Sequence, residues 1–121
     1  MSAEQILGTA LHLVSGDRAV DYGPIWDNHE NIAQLWSGYL YNKDEISAED
    51  VANMMELLKI ARRKTGVLKE DNYIDGAGYA AVAYECAAEE QAQADSRALL
   101  IDINQRLNQK LKEKSDDEKE S

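Results

Sequence analysis

The chain has 121 residues, enough for one domain with a sizeable core and too few for two. Its 13 Lys and Arg stand against 23 Asp and Glu, a net charge of −10 that excludes the basic footprint needed on duplex nucleic acid or an anionic membrane. A single cysteine, Cys86, and two histidines exclude a disulfide framework and a Cys/His zinc site, and no apolar run reaches the roughly 18 residues of a membrane span.

Helix formers dominate, β-branched residues never alternate with period two, and the one proline is Pro24, so the fold class is all-α. A first helix is predicted over residues 3–14, with Ile6, Leu7, Ala10, Leu11 and Val14 on its buried stripe and Ser15-Gly16 as its stop. The connection to Pro24 has room for a helical turn at Arg18-Ala19-Val20. Asp27 with Glu30 then makes a box-like start for a second helix, whose buried stripe reads Ile32, Leu35, Trp36, Tyr39, Leu40. Ser47 with Asp50 is a capping box for a third, which runs to about Thr65 before Gly66. Val51, Met54, Met55, Leu57, Leu58 and Ile60 cover more than half of its circumference, the pattern of a central helix packed on several sides.

A fourth helix is predicted to start at Asp71 or Asn72, with a face of small residues (Ile74, Ala77, Gly78, Ala81) that permits close approach of a neighbour. Helical character continues past Glu85. Leu100, Ile103, Leu107 and Leu111 are spaced 3, 4 and 4 apart, a narrow seam suited to a partner helix and hence to a homo-oligomer. The expected organisation is a single helical domain over residues 1–112, a bundle of four to five helices with a long C-terminal one, followed by an unstructured charged tail over 113–121.

Chemistry is suggested at three places. Asn53 and Glu56 stand three apart on the third helix, and Asn72 and Asp75 three apart on the fourth, so a short loop between the two helices would gather four oxygen-bearing side chains. Hard cations such as Mg²⁺ take oxygen ligands, which makes Glu56 and Asp75 candidate metal ligands. Asp75 sits among small, apolar neighbours, where a carboxylate needs a partner, and an ion pair with Lys59 or a neighbouring arginine serves equally well. The cluster Lys59, Arg62, Arg63, Lys64 is the second place: Lys59 and Arg62 are candidate phosphate contacts, against the alternative that cations simply favour a helix C-terminus. The third is YGPIWDNHENIAQLW, where Asn28 at a helix start would read a base edge or hold an anion. Trp26 and Trp36 serve there as core residues or as stacking surfaces. His29 has no visible nucleophile partner, and Cys86 reads as a small buried hydrophobe.

Several blocks in order resemble a family of small bacteriophage and prophage proteins labelled as a domain of unknown function. They are Tyr22-Gly23, Asn28 with Ile32-Ala33-x-Leu35-Trp36-x-x-Tyr39-Leu40, the run Glu49-Asp50-Val51-Ala52-x-Met54-Met55-x-Leu57-Leu58-Lys59-Ile60-Ala61-Arg62, and Asp75-x-Ala77-Gly78-Tyr79, spanning residues 6–88. More remotely, the third and fourth helices are similar to the MazG-like all-α nucleotide pyrophosphohydrolases, whose E-x-x-E and E-x-x-D acids hold Mg²⁺ against a nucleotide. The matching positions here are Asn53-x-x-Glu56 and Asn72-x-x-Asp75, with an amide in place of an acid at the first of each.

That resemblance implies a MazG-like layout with Mg²⁺ on Glu56 and Asp75 and phosphates met by Lys59 and Arg62, and Asn53, Asn72 and, from its own helix start, Asn28 are the further candidate nucleotide contacts. A pyrophosphohydrolase is one reading. The amides, which lack charge, favour another, the non-catalytic sequestration of a nucleotide or nucleotide-derived host defence signal. An acidic adaptor for a host protein is a third. With no basic region ahead of an apolar one at the N-terminus, the expected location is the cytoplasm.

Overall fold

A computed structural model describes residues 1–16, 21–41, 45–64 and 66–120. The turn expected at Arg18-Ala19-Val20 and the helix end at Thr65 lie outside these. The described residues form four α-helices and no strand: α1 (Ala3–Ser15), α2 (Ile25–Leu40), α3 (Ala48–Arg63) and α4 (Glu70–Glu120). None is long and apolar enough to cross a membrane. The chain divides into two compact units, Met1–Glu89 and Glu90–Ser121.

Local chemistry sets the helix starts. Ser2 caps α1 by accepting from the Gln5 N–H at 3.2 Å, while Gln5 Oε1 accepts from the Ser2 N–H at 2.8 Å. Ser47 and Asp50 exchange the same pair of bonds at the start of α3, each 3.0 Å long, so the box read from the sequence is the one that forms. At α2 the helix begins two residues before Asp27, with Pro24 at the cap and no side-chain cap bond. A proline fixed near helical φ substitutes for the acid there. Helix α4 begins at Glu70, ahead of the expected caps. Gly66 in the α3–α4 connection has φ +84°, a left-handed conformation costly for any residue with a Cβ.

The first unit is held by small side chains. Ala48, Ala52, Val82, Ala83 and Cys86 form a buried cluster, with Val14, Ile25 and Trp26 packed on it, and Val51 is fully enclosed. The buried stripes differ from those expected. On α1, Ala10 is buried and Ile6, Leu13 and Val14 half-buried, whereas Leu7 and Leu11 face water. On α2 the inward stripe is His29, Ile32, Ala33 and Trp36, and Leu35, Tyr39 and Leu40 are exposed. Helix α3 turns Ala48, Val51, Ala52 and Met55 inward but leaves Met54, Leu57, Leu58 and Ile60 exposed, so it is not packed on all sides within one chain. On α4 the expected face is met at Ile74, which is buried, and at Ala77 and Gly78, which are half-buried, whereas Ala81 is exposed and Asn72, Gly76, Val82, Ala83 and Cys86 are buried as well. Periodicity fixes that a stripe exists; two adjacent stripes that are both apolar are separated only by the shape of what packs against them.

In the second unit, residues 91–120 are helical and only Gln93 is less than exposed. Helix α4 continues through residues 113–120, where the composition led to the expectation of an unstructured tail. Lys and Glu are good helix formers, and local pairs such as Gln109–Glu113 (3.1 Å) link successive turns just before it.

Candidate functional site

All four helices of the first unit contribute to one cavity of about 680 Å³. Ala10, Leu13 and Val14 come from α1, and Asn28, His29, Ile32 and Trp36 from α2. Val51 and Met55 of α3 and Ile74, Asp75, Gly78, Tyr79 and Val82 of α4 complete most of the wall. The volume is that of a pocket for a small organic molecule, and the lining is of the usual kind: mostly apolar, with a few polar groups. Gly78 faces α1, since a Cβ there would sit 3.5 Å from Val14 Cγ1.

The polar groups have defined partners. Lys59 Nζ lies 2.8 Å from Asp75 Oδ2, with the two side chains only 13% and 18% exposed. Helix α3 presents Lys59 one turn before its end, and α4 presents Asp75 near its start, so the loop between them brings the charges together. Of the two roles open to Asp75 from its sequence context, ion pairing with Lys59 is the one the geometry supplies. One turn further along α3, Arg63 donates to the Asn72 carbonyl at 3.3 Å and lies 4.5 Å from the Tyr73 ring centroid. His29 is 8% exposed, and its Nδ1 is 3.0 Å from the Ile25 carbonyl.

The residues singled out from the sequence separate accordingly. Asn28 and Asp75 line the cavity, and Lys59 reaches it through Asp75. Glu56 is half-buried on α3 outside the lining, Asn72 is buried beside Arg63, and Asn53 and Arg62 are exposed. Among the described residues no group of three His, Cys, Asp or Glu is placed to hold a metal ion. With a lysine on Asp75 as well, the donor set does not fit a resident Mg²⁺, and no metal-dependent step is derived from it. Trp36, offered from the sequence as core or as a stacking surface, lines the cavity, and so do His29 and Tyr79, to which spacing assigned no binding role. For His29 the signal was its place at i, i+3, i+4, i+7 with Ile32, Ala33 and Trp36.

A family described as a domain of unknown function (DUF6378) matches residues 5–87. The chain belongs to that family. The DUF6378 match covers almost the whole first unit, and with it every residue of the cavity wall. Among relatives, the Gene 55 protein of Mycobacterium phage L5 is 49% identical over 77 residues, which is 64% of this chain and 49% of that protein. The Gene 55 protein of Mycobacterium phage D29 is 47% identical over 78 residues, 64% of this chain and 50% of that protein. The match thus spans about half the length of these relatives. No solved structure matches the chain.

Proposed function

We propose that this chain is a non-catalytic binding module that takes a nucleotide or nucleotide-derived small molecule, with the base inside the cavity. The observation that carries the reading is the cavity itself: about 680 Å³, walled by Trp36 and Tyr79 as well as aliphatic side chains, with Asn28 at its edge. Aromatic faces stack on a base whatever its sequence identity, and an amide offers both a donor and an acceptor. Lys59, held against a lining carboxylate, is the cation best placed to be drawn toward a phosphate at the mouth. Phage relatives make a host-derived nucleotide signal a sensible ligand.

The test is a thermal-shift and calorimetric screen of nucleosides, mononucleotides and cyclic nucleotides in EDTA, repeated with Mg²⁺. A ligand that binds only the folded state raises its melting temperature by mass action. A shift retained in EDTA supports the module. Binding that needs Mg²⁺, with pyrophosphate release lost in Asp75→Ala, replaces it by the MazG-like hydrolase reading. No shift with any nucleotide overturns both.

The second unit suggests self-association. A helix whose large apolar residues all face water gains no packing within its own chain, and most helical stability in proteins comes from packing. Leu100, Ile103, Leu107 and Leu111 would supply the missing contact against a second copy. Sedimentation velocity tests this: the native chain should exceed its monomer mass of 13.5 kDa, and Ile103→Lys with Leu107→Lys should return it to that mass. A monomeric native chain refutes it.

A further inference from the structure

His29 is a buried ring in the cavity wall with only half of its hydrogen-bonding capacity used. Its Nδ1 faces the Ile25 carbonyl at 3.0 Å, one turn back along α2. A carbonyl oxygen only accepts, so in the neutral ring Nδ1 carries the proton and Nε2 is an acceptor. Among the described residues the Ile25 contact is the hydrogen bond that His29 makes. An acceptor in the wall of an open space is a place where a ligand donor can bond. Two further features narrow the ligand. Among the described residues no lysine or arginine lines the cavity, Asp21 and Asp75 both do, and Lys59 pairs with Asp75, so this wall favours an uncharged ring over a phosphate. Asn28, the residue next to His29, adds an amide N–H donor to the same wall.

We infer that His29 Nε2 reads an N–H donor on the edge of the bound ring, so that the cavity selects an amino-bearing nucleobase, with adenine the best complement. The exocyclic amine of adenine donates to Nε2, and a ring nitrogen on the neighbouring edge accepts from the Asn28 amide. The ring lies among Trp36, Tyr79, Ile32 and Met55, where its faces exchange water for aromatic and aliphatic contact. The ring's donor, rather than its phosphates, then sets specificity.

This rests on the cavity being the ligand site, and the experiment separates the two. Calorimetry with the full chain compares adenosine with purine riboside, which differs only by loss of the amine. Purine riboside should bind about tenfold more weakly, the expected effect of losing one well-formed hydrogen bond. His29→Phe keeps the ring volume and deletes Nε2, and should lower adenosine affinity to that of purine riboside without changing the latter. Equal binding of the two nucleosides to the native chain overturns the inference while leaving the cavity as a nucleoside site, as does an adenosine preference that survives in His29→Phe. If neither nucleoside nor any nucleotide binds, the proposed function itself fails. The comparison on the native chain needs no variant, so a misfolded His29→Phe does not rescue the inference.

Discussion

Asp75→Asn would leave the Lys59 ammonium, 13% exposed, without the carboxylate that lies 2.8 Å from it. Removing one partner of a buried pair costs about 3–5 kcal/mol because the surviving charge stays desolvated. Both side chains keep slight contact with water, so the lower end applies, about 3 kcal/mol. For a chain of this size that lowers Tm by roughly 12 °C. Lys59→Met should also destabilise, since it takes the ammonium from a carboxylate that is only 18% exposed. The double variant Lys59→Met/Asp75→Leu removes both charges of the pair and fills similar volume, and its loss should be smaller than the sum of the two single losses. Urea denaturation of the native chain, Lys59→Met, Asp75→Leu and the double variant closes the cycle and should give a coupling of several kcal/mol between the two sites. Additive single losses would refute the pair as a coupled unit. A Mg²⁺-dependent rise in the native Tm that Asp75→Asn abolishes would show instead that the carboxylate is available to a metal.

Two glycines on α4 should respond oppositely to the same substitution. Gly78→Ala meets only an ordinary contact with Val14 and removes a helix-interior glycine, so it should stabilise by about 1 kcal/mol in chemical denaturation. Gly76→Ala places its methyl against the Arg63 guanidinium, displacing a group that bonds the Asn72 carbonyl and covers Tyr73. It should gain nothing or lose, whereas the same change in an Arg63→Ala background should stabilise by about 1 kcal/mol, and a gain in both backgrounds would refute the clash. Ser47→Ala removes the side-chain acceptor for the Asp50 N–H and should cost about 1 kcal/mol, with a loss under 0.3 kcal/mol refuting the cap's role.

The parts of the fold that sequence made legible are those governed by local chemistry. The Ser47–Asp50 box needs only two side chains three residues apart, and it forms as the spacing requires. The all-α class follows from composition and the absence of alternation. Which face turns inward was not legible where two stripes compete. On α2, Leu35 and Tyr39 are as apolar as Ile32 and Trp36, yet the inward stripe is the one that carries His29. Propensity and periodicity assign no preference between such stripes. Packing against Ala48, Ala52 and the small residues of α4 does, and that information lies in other segments of the chain.

The same logic explains why the site was half legible. Asp75 announced itself as an acid in apolar surroundings, where burial demands a counter-charge, and Lys59 on the preceding helix meets that demand. His29 gave no such signal, because its ring bonds the Ile25 carbonyl within its own helix and so fits a core stripe at little cost. Its other nitrogen acquires meaning only when four helices leave a space beside it. A carboxylate that must be paired is therefore visible in one dimension, whereas an acceptor that waits for a ligand becomes visible only with the cavity. The charged pair is therefore architecture first, with Lys59 a contact for phosphate alone, and the choice of ring falls to His29. If mutation of His29 changed stability alone and mutation of Lys59 changed ligand choice, that division of labour would have to be reversed.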